Sequence, residues 1–250
     1  MNYMGGKMRQ GPKIAEIIRP FLKEGGRYVE PFCGAMGVAF RVAEFAPRGL
    51  VMELSDANEA VIEMWRHALS GWVPPDVVIE EEYQFHKSVR YPKDPMTAYC
   101  GYGMSFGGKW FGGYARNGKG TNYTLNAKRS VLLKASVLLK ASVLLKASVL
   151  LKASVLLKAR DYREAIGPGV YYLDPPYANR TKAHGMTFNH EAFWDYARER
   201  TTDGPVFVTE FAAPDDFVPV YRFGDTVVRH YASRGGDGTC ECVFVHRSQA

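Results

Sequence analysis

At 250 residues, 46% of them hydrophobic and 13% aromatic, the chain can bury a sizeable core, and one domain carrying one insertion is the natural division. It has no run of about 18 uncharged apolar residues, so no membrane span is expected; Met1–Lys13 lacks the apolar centre of a leader peptide, four scattered cysteines make no disulfide framework, and a cytoplasmic protein is expected. The formal charge is +6, but no Asp or Glu occurs from Pro95 to Arg160, a one-sided stretch that suits either a polyanion-binding face or a solvated basic face with no partner.

Taken in chain order, Ile14–Leu22 has apolar residues at helical spacing and stops at Gly25-Gly26. Arg27–Phe32 reads as a strand running into the glycine turn Cys33-Gly34-Ala35-Met36-Gly37, followed by a helix over Val38–Phe45. Gly49–Leu54 is a second strand ending at Ser55-Asp56, and Ala57–Leu69 is again helical. Strand, glycine turn, helix, strand and acidic residue open a doubly wound α/β sheet. Trp72–Lys128 breaks the pattern: rich in Tyr, Phe, Trp, Gly and Pro, with little helical period, it reads as an insertion with mobile loops, and His86 within it as a surface residue. After Ala159 the α/β alternation resumes, with a strand at Val170–Leu173, a helix at His190–Arg200 and a strand at Gly204–Thr209. Thr226–Tyr231 and Thr239–His246 suggest an antiparallel pair across a turn-rich link. Cys240-Glu241-Cys242 lacks partner ligands, so no metal is expected.

Ser130–Ala159 is five identical copies of Ser-Val-Leu-Leu-Lys-Ala. Leu, Lys and Ala favour helix and no Gly or Pro interrupts. Six residues advance a helix by about 600°, so successive copies lie about 120° apart and no single apolar face is expected. A strand would instead put Val, Leu and Ala on one side. Helix is the expectation, with some copies projecting from the domain. The division is therefore 1–71 with 160–250 as the main domain, 72–129 as the insertion and 130–159 as the repeat.

Two groups of residues carry chemistry. Glu30-Pro31-Phe32-Cys33-Gly34-Ala35-Met36-Gly37 lies between a strand and a helix, where backbone can approach a ligand closely. Asp56, at the tip of the next strand, suits the two hydroxyls of a ribose; a dinucleotide site would share both features. Asp174-Pro175-Pro176-Tyr177 follows the strand at Val170–Leu173, at the carboxyl end where open α/β sheets bind ligands. Two prolines stiffen the loop, which then projects a carboxylate and an aromatic ring at fixed separation. A flat base with an exocyclic amine needs such acceptors for its amino hydrogens and a ring to stack on.

With these motifs in hand, the chain resembles the Dam-type DNA adenine-N6 methyltransferases, particularly short phage-borne members, over nearly its whole length outside the repeat. The resemblance implies a Rossmann-like class I methyltransferase sheet and S-adenosylmethionine as methyl donor. Tyr3-Met4-Gly5-Gly6-Lys7 is similar to the family's amino-terminal motif, which would put Tyr3 and Gly6 at the cofactor pocket and Lys7 near both it and the target base. Glu30, Pro31, Phe32, Gly34 and Gly37 would cradle the methionine end, Asp56 the ribose, and Asp161-Tyr162 the adenine end. Asp174, Pro175, Pro176 and Tyr177 match the catalytic tetrapeptide, with Asp174 also at the cofactor, and Phe188 would pack near the transfer site. The chain departs from the family pattern at Met36, where glycine is usual, and at the repeat, which stands where a helix leads to a strand. Either repeat residues supply that strand or the adenine end of the pocket is compromised.

Double-stranded DNA is the expected partner, with the oligomeric state open. Gly101–Arg116 mixes aromatics and cations on a glycine-rich chain; Lys109, Trp110 and Arg116, with Lys119, Lys128 and Arg129, are the expected DNA contacts beside Lys7. Cations would meet phosphate or guanine, and an aromatic would fill the gap left by a flipped base. The alternatives are a surface loop whose aromatics pack beneath it, a cytosine-N4 or RNA adenine methyltransferase, and a DNA-binding protein disabled by the repeat.

Overall fold

The computed structural model describes residues 1–116, 123–142, 153–177, 188–224 and 240–250. Helix α1 (Gly11–Ile18) precedes strand β1 (Arg27–Glu30), then α2 (Ala39–Glu44), β2 (Leu50–Asp56) and α3 (Glu59–Leu69). Asn58 caps α3, its side chain accepting from the Ala60 amide. The insertion is more helical than its composition suggests: α4 (Glu80–Val89), α5 (Pro95–Ala98) and a π turn at Tyr99–Gly103. Asp94 caps α5, and buried aromatics such as Tyr83, Tyr99 and Tyr102 give these short helices the core that a period search over loops and prolines misses. His86 is buried there, its Nδ1 3.5 Å from Asp94, not a surface residue.

The repeat divides between two elements. Helix α6 (Tyr123–Ser142) begins in the insertion and runs through the first two copies, whereas Ala153–Ala159 forms strand β3. The expectation of helix therefore fails for the last copy. So does the expectation of a faceless helix: Thr124, Ala127, Val131, Lys134, Leu138 and Ala141 are all buried, spaced three and four residues apart. The residues ahead of the repeat set the phase, and Ala, Val and Leu fall on the stripe in turn. Lys134 is its one charged member.

After β3 come β4 (Val170–Leu173), α7 (His190–Arg200), β5 (Val206–Glu210), β6 (Phe217–Arg222) and β7 (Cys242–His246). Thr226–Tyr231, read as a strand, lies outside the described residues; β7 pairs instead with β6. The sheet order is β3-β2-β1-β4-β5-β7-β6, parallel except for β7, which runs antiparallel to both neighbours. That order is the Rossmann-like class I methyltransferase fold. Strand residues alternate between two cores. Tyr28, Met52, Tyr172 and Phe207 face α1, α2, α3 and α6, whereas Val29, Tyr171, Val206 and Val208 face α7. β3 pairs with β2 along seven residues, from Leu50↔Ala153 to Asp56↔Ala159, so the final copy supplies an edge strand of the sheet. No helix among the described residues is long and apolar enough to cross a membrane.

The chain winds outward from β1 through β2 to β3, then returns to the other side of β1 to begin β4. Between β1 and β4 the winding reverses. In open α/β sheets a crevice forms at that point, outside the carboxyl ends of the strands. The two motifs leave the sheet from the ends of β1 and β4.

Candidate active site

A narrow cleft opens at this reversal, lined by Tyr3, Gly6, Lys7, Glu30, Phe32, Gly34, Gly37 and Asp174 among the expected residues, with Cys33, Ala35, Val38 and Tyr172 beside them. The amino-terminal segment lies against the glycine turn because glycines permit it. A side chain at Gly34, whose φ is +42°, would meet the Tyr3 ring at 2.8 Å, and one at Gly37 would meet the Lys7 amide nitrogen at 2.9 Å. Met36 takes a left-handed φ of +53°, which a glycine would adopt without strain, and it is fully buried. Pro31 is buried beneath the turn.

Lys7 is the electrostatic centre. It is 4% exposed; its ammonium lies 2.6 Å from Asp174 Oδ1 and 3.2 Å from Glu241, and it donates to the Gly5 carbonyl (3.0 Å) and to the Tyr177 hydroxyl. Burial alone would lower its pKa, but Asp174 and Glu241 outweigh that and hold it above the ordinary lysine value. Tyr177 in turn donates to Glu241, whose other oxygen accepts from Gln10 Nε2 (3.0 Å). Thr209 Oγ1, itself 3.0 Å from the Tyr172 hydroxyl, donates to Asp174 Oδ1 at 2.9 Å. Among the described residues, Lys7 and Thr209 both meet Oδ1, which leaves Asp174 Oδ2 as the acceptor for an incoming group. Burial, and to a lesser degree the charge of Glu241, raise the Asp174 carboxyl, against the opposing pull of Lys7.

Asp56 sits at the tip of β2, as expected, but both of its oxygens already hold backbone: Oδ2 accepts from the Gly34 amide and Oδ1 from Asn58, each at 2.9 Å. A carboxylate oxygen has two lone pairs, so one on each remains for a ribose hydroxyl. Burial pushes its pKa up to about 6, opposed by those two amides. Glu30, 2% exposed and accepting from Tyr28 at 2.6 Å, is pushed by burial up to about 8. Tyr162 stacks on Phe32 with ring centres 5.2 Å apart, and Phe188 and Phe193 pack edge-on around them. Asp161 does not reach the cleft; it caps the turn Tyr162–Glu164 and pairs with Arg163 at 2.8 Å.

Sequence reading missed Glu241, Gln10 and Thr209. The cysteines flanking Glu241 drew the eye, yet the glutamate between them enters the site, because antiparallel β7 starts beside the end of β5.

The acid-free stretch is not a free basic face. Acids from outside it fold back: Glu80 onto Arg116, Asp76 onto Lys128 (2.8 Å), Glu53 onto Lys158 (3.4 Å) and Arg160. Lys134 is buried. Lys109 and Arg129 remain exposed, Trp110 is half-buried against Tyr102 and Phe111, and Lys119 lies outside the described residues. Phe106 is 71% exposed, on a turn whose Gly108 carbonyl accepts from Met4 at 2.9 Å.

No family model and no curated protein matches the chain. Solved structures of similar outline include the rRNA methyltransferase AviRa of Streptomyces viridochromogenes (12% identity, 95% of this chain and 85% of that one, TM-score 0.40). Others are a putative rRNA methylase of Clostridium thermocellum (10%, 94% and 95%, 0.41) and a putative methyltransferase complexed with SAH (11%, 97% and 55%, 0.34). At these identities and scores the fold rests on the strand order above.

Proposed function

We propose that the chain is an S-adenosylmethionine-dependent methyltransferase acting on the N6 amino group of a flipped adenine in duplex DNA. The observation that carries the reading is the meeting of Asp174 with the Glu30–Gly37 turn in one cleft, at the reversal point of the sheet. The residues fit the donor. Asp174 and Glu241 flank a single ammonium, Lys7, an anionic excess suited to a cationic sulfonium. Asp56 keeps acceptors for a ribose, and the Phe32–Tyr162 stack offers an apolar wall. When bound, the donor supplies a methyl group on cationic sulfur, which passes to the amine as a neutral thioether and a proton leave.

The chain's own part is positioning. Asp174 Oδ2 and the Pro175 carbonyl accept the two amino hydrogens, and the raised proton affinity of Asp174 suits an acceptor that faces an amine becoming acidic. Lys7 and Thr209 fix the carboxylate from its other oxygen. Tyr177, its hydroxyl held by Lys7 and Glu241, offers its ring to the base. DNA would approach over Lys109 and Phe106, beside the segment that carries Lys7. The alternative of a DNA-binding protein disabled by the repeat expects a broken sheet edge, whereas β3 pairs with β2 along its length.

Incubation with labelled S-adenosylmethionine and duplex DNA, single-stranded DNA or RNA, followed by nucleoside analysis, tests the reading. N6-methyladenine from duplex DNA is expected; its absence with every DNA tried refutes the proposal, and N4-methylcytosine or methylated RNA reassigns it. Asp174→Ala should abolish turnover and leave donor affinity within about threefold.

A further inference from the structure

The floor of the glycine turn is held by side chains from two helices. Trp65 of α3 donates its indole N–H to the Gly34 carbonyl at 2.9 Å. Lys134 of α6 donates to the next carbonyl, Ala35, at 2.5 Å. The amides of the same turn are tied as well: Cys33 to Ser55 (2.9 Å), Gly34 to Asp56, and Met36 back to Cys33 (2.6 Å). Lys134 is wholly buried, with its ammonium 5.7 Å from the Phe40 ring centre and 5.9 Å from that of Trp65.

A lysine in this place is costly. The rest of the α6 stripe is Thr, Ala, Val and Leu, and an ammonium taken out of water without a contacting carboxylate loses several kcal/mol. Burial draws its pKa down to about 8. The acid that partly offsets this is Glu30, one of the cleft residues. Nor is the position common to the repeat. Lys140, one copy later and about 120° round the helix, is exposed, and Lys158 lies on β3, 46% exposed, against Glu53. Among the described lysines of the repeat, only the first copy's is phased by the preceding helix to lie under the turn.

We propose that Lys134 is a positioning residue of the methyl-donor site, its ammonium fixing the Ala35 carbonyl and through it the Cys33–Gly37 turn against which the donor binds. The inference rests on the donor reading of the cleft. It gives the repeat two roles in one site: the first copy braces the turn, and the last supplies the strand beside Asp56.

The test compares Lys134→Met, which keeps length and apolar bulk, and Lys134→Gln, which keeps a shorter donor, with Lys140→Met as control. S-adenosylhomocysteine affinity by calorimetry, steady-state rates, and hydrogen exchange of the Ala35–Gly37 amides are measured on the full chain. K134M should remain folded, weaken S-adenosylhomocysteine binding at least tenfold and raise KM for S-adenosylmethionine similarly. Its KM for DNA and its kcat should stay within about threefold, and the turn amides should exchange at least tenfold faster. K134Q should fall between, and K140M should match the wild type. A folded K134M with wild-type affinity and exchange overturns the proposal, as does an equal loss of donor and DNA affinity, or failure of both Lys134 variants to fold. If the wild type binds no donor, the donor reading fails separately; the turn amides then decide whether Lys134 braces the turn, faster exchange in K134M supporting it and equal exchange overturning it.

Discussion

Replacing Lys7 by methionine should destabilise the fold in a way that grows with pH. Lys7, Asp174 and Glu241 are 4%, 16% and 5% exposed, so removing the ammonium leaves two carboxylates with little water and no counter-charge between them. Breaking a buried pair from one side costs about 3–5 kcal/mol; with Asp174 partly wetted, about 3 kcal/mol at pH 8 is the expectation. The sign of the pH effect follows from proton counting. In the variant the Asp174 carboxyl rises further above its unfolded value, so the folded state holds a proton that the unfolded state has released, and stability falls as pH rises through that window. In the wild type the raised Lys7 contributes stability below the ordinary lysine pKa, lost only as pH rises through its higher folded value. Urea titrations at pH 5, 6, 7 and 8 would measure the difference, with equal slopes confirming two-state comparison. Adding Glu241→Gln to the variant should recover at least about 1 kcal/mol at pH 8, since one orphaned charge is gone. A loss that is equal at pH 5 and 8, or below about 1 kcal/mol throughout, would refute the charge accounting.

Glu30→Gln should do the reverse of a typical core substitution. A carboxyl raised from 4.5 to about 8 opposes its own ionisation by roughly 5 kcal/mol, and wild-type stability therefore falls as pH rises across that interval. The variant should match the wild type near pH 5 and exceed it by several kcal/mol at pH 9 in the same titrations; a pH-independent difference would speak against a protonated Glu30. Shortening the repeat to four copies should leave the melting temperature within a few degrees, because α6 and β3 keep identical sequence and only their connection shortens. Two copies cannot furnish both elements, and that variant should lose cooperative unfolding by circular dichroism.

Much of this arrangement was legible because local rules and tertiary context agree there. β4 and α7 fall on the residues that the apolar pattern marks, and the two motifs meet because strand order brings their ends together. Elsewhere they part. β6 carries Pro219 and exposed neighbours, which argue against a strand until it is seen to lie at the sheet edge with an irregular register at that proline. The basic stretch looked unopposed because Asp76, Glu80 and Glu53, which neutralise much of it, lie earlier in the chain. Glu241 gave no local sign, since it lies just ahead of β7 and is brought to the site by that strand's pairing with β5.

The repeat shows most sharply how context decides between two structures open to one sequence. Six residues suit a strand, since the period is even, and they suit a helix by composition. In α6 the phase is inherited from Thr124 and Ala127, which are already buried, so the copies that follow must present whatever falls at three- and four-residue steps. Those positions receive Val131, Leu138 and Ala141, and, at one step, a lysine. In β3 the same hexapeptide meets the open edge of β2 and takes its hydrogen bonds from there, with Leu156 and Lys158 left exposed at the rim. An exposed lysine at the edge discourages pairing with another chain. One residue type thus has opposite fates in identical copies, buried under the turn in the first and at the sheet's margin in the last, and the difference comes from what precedes and adjoins each copy.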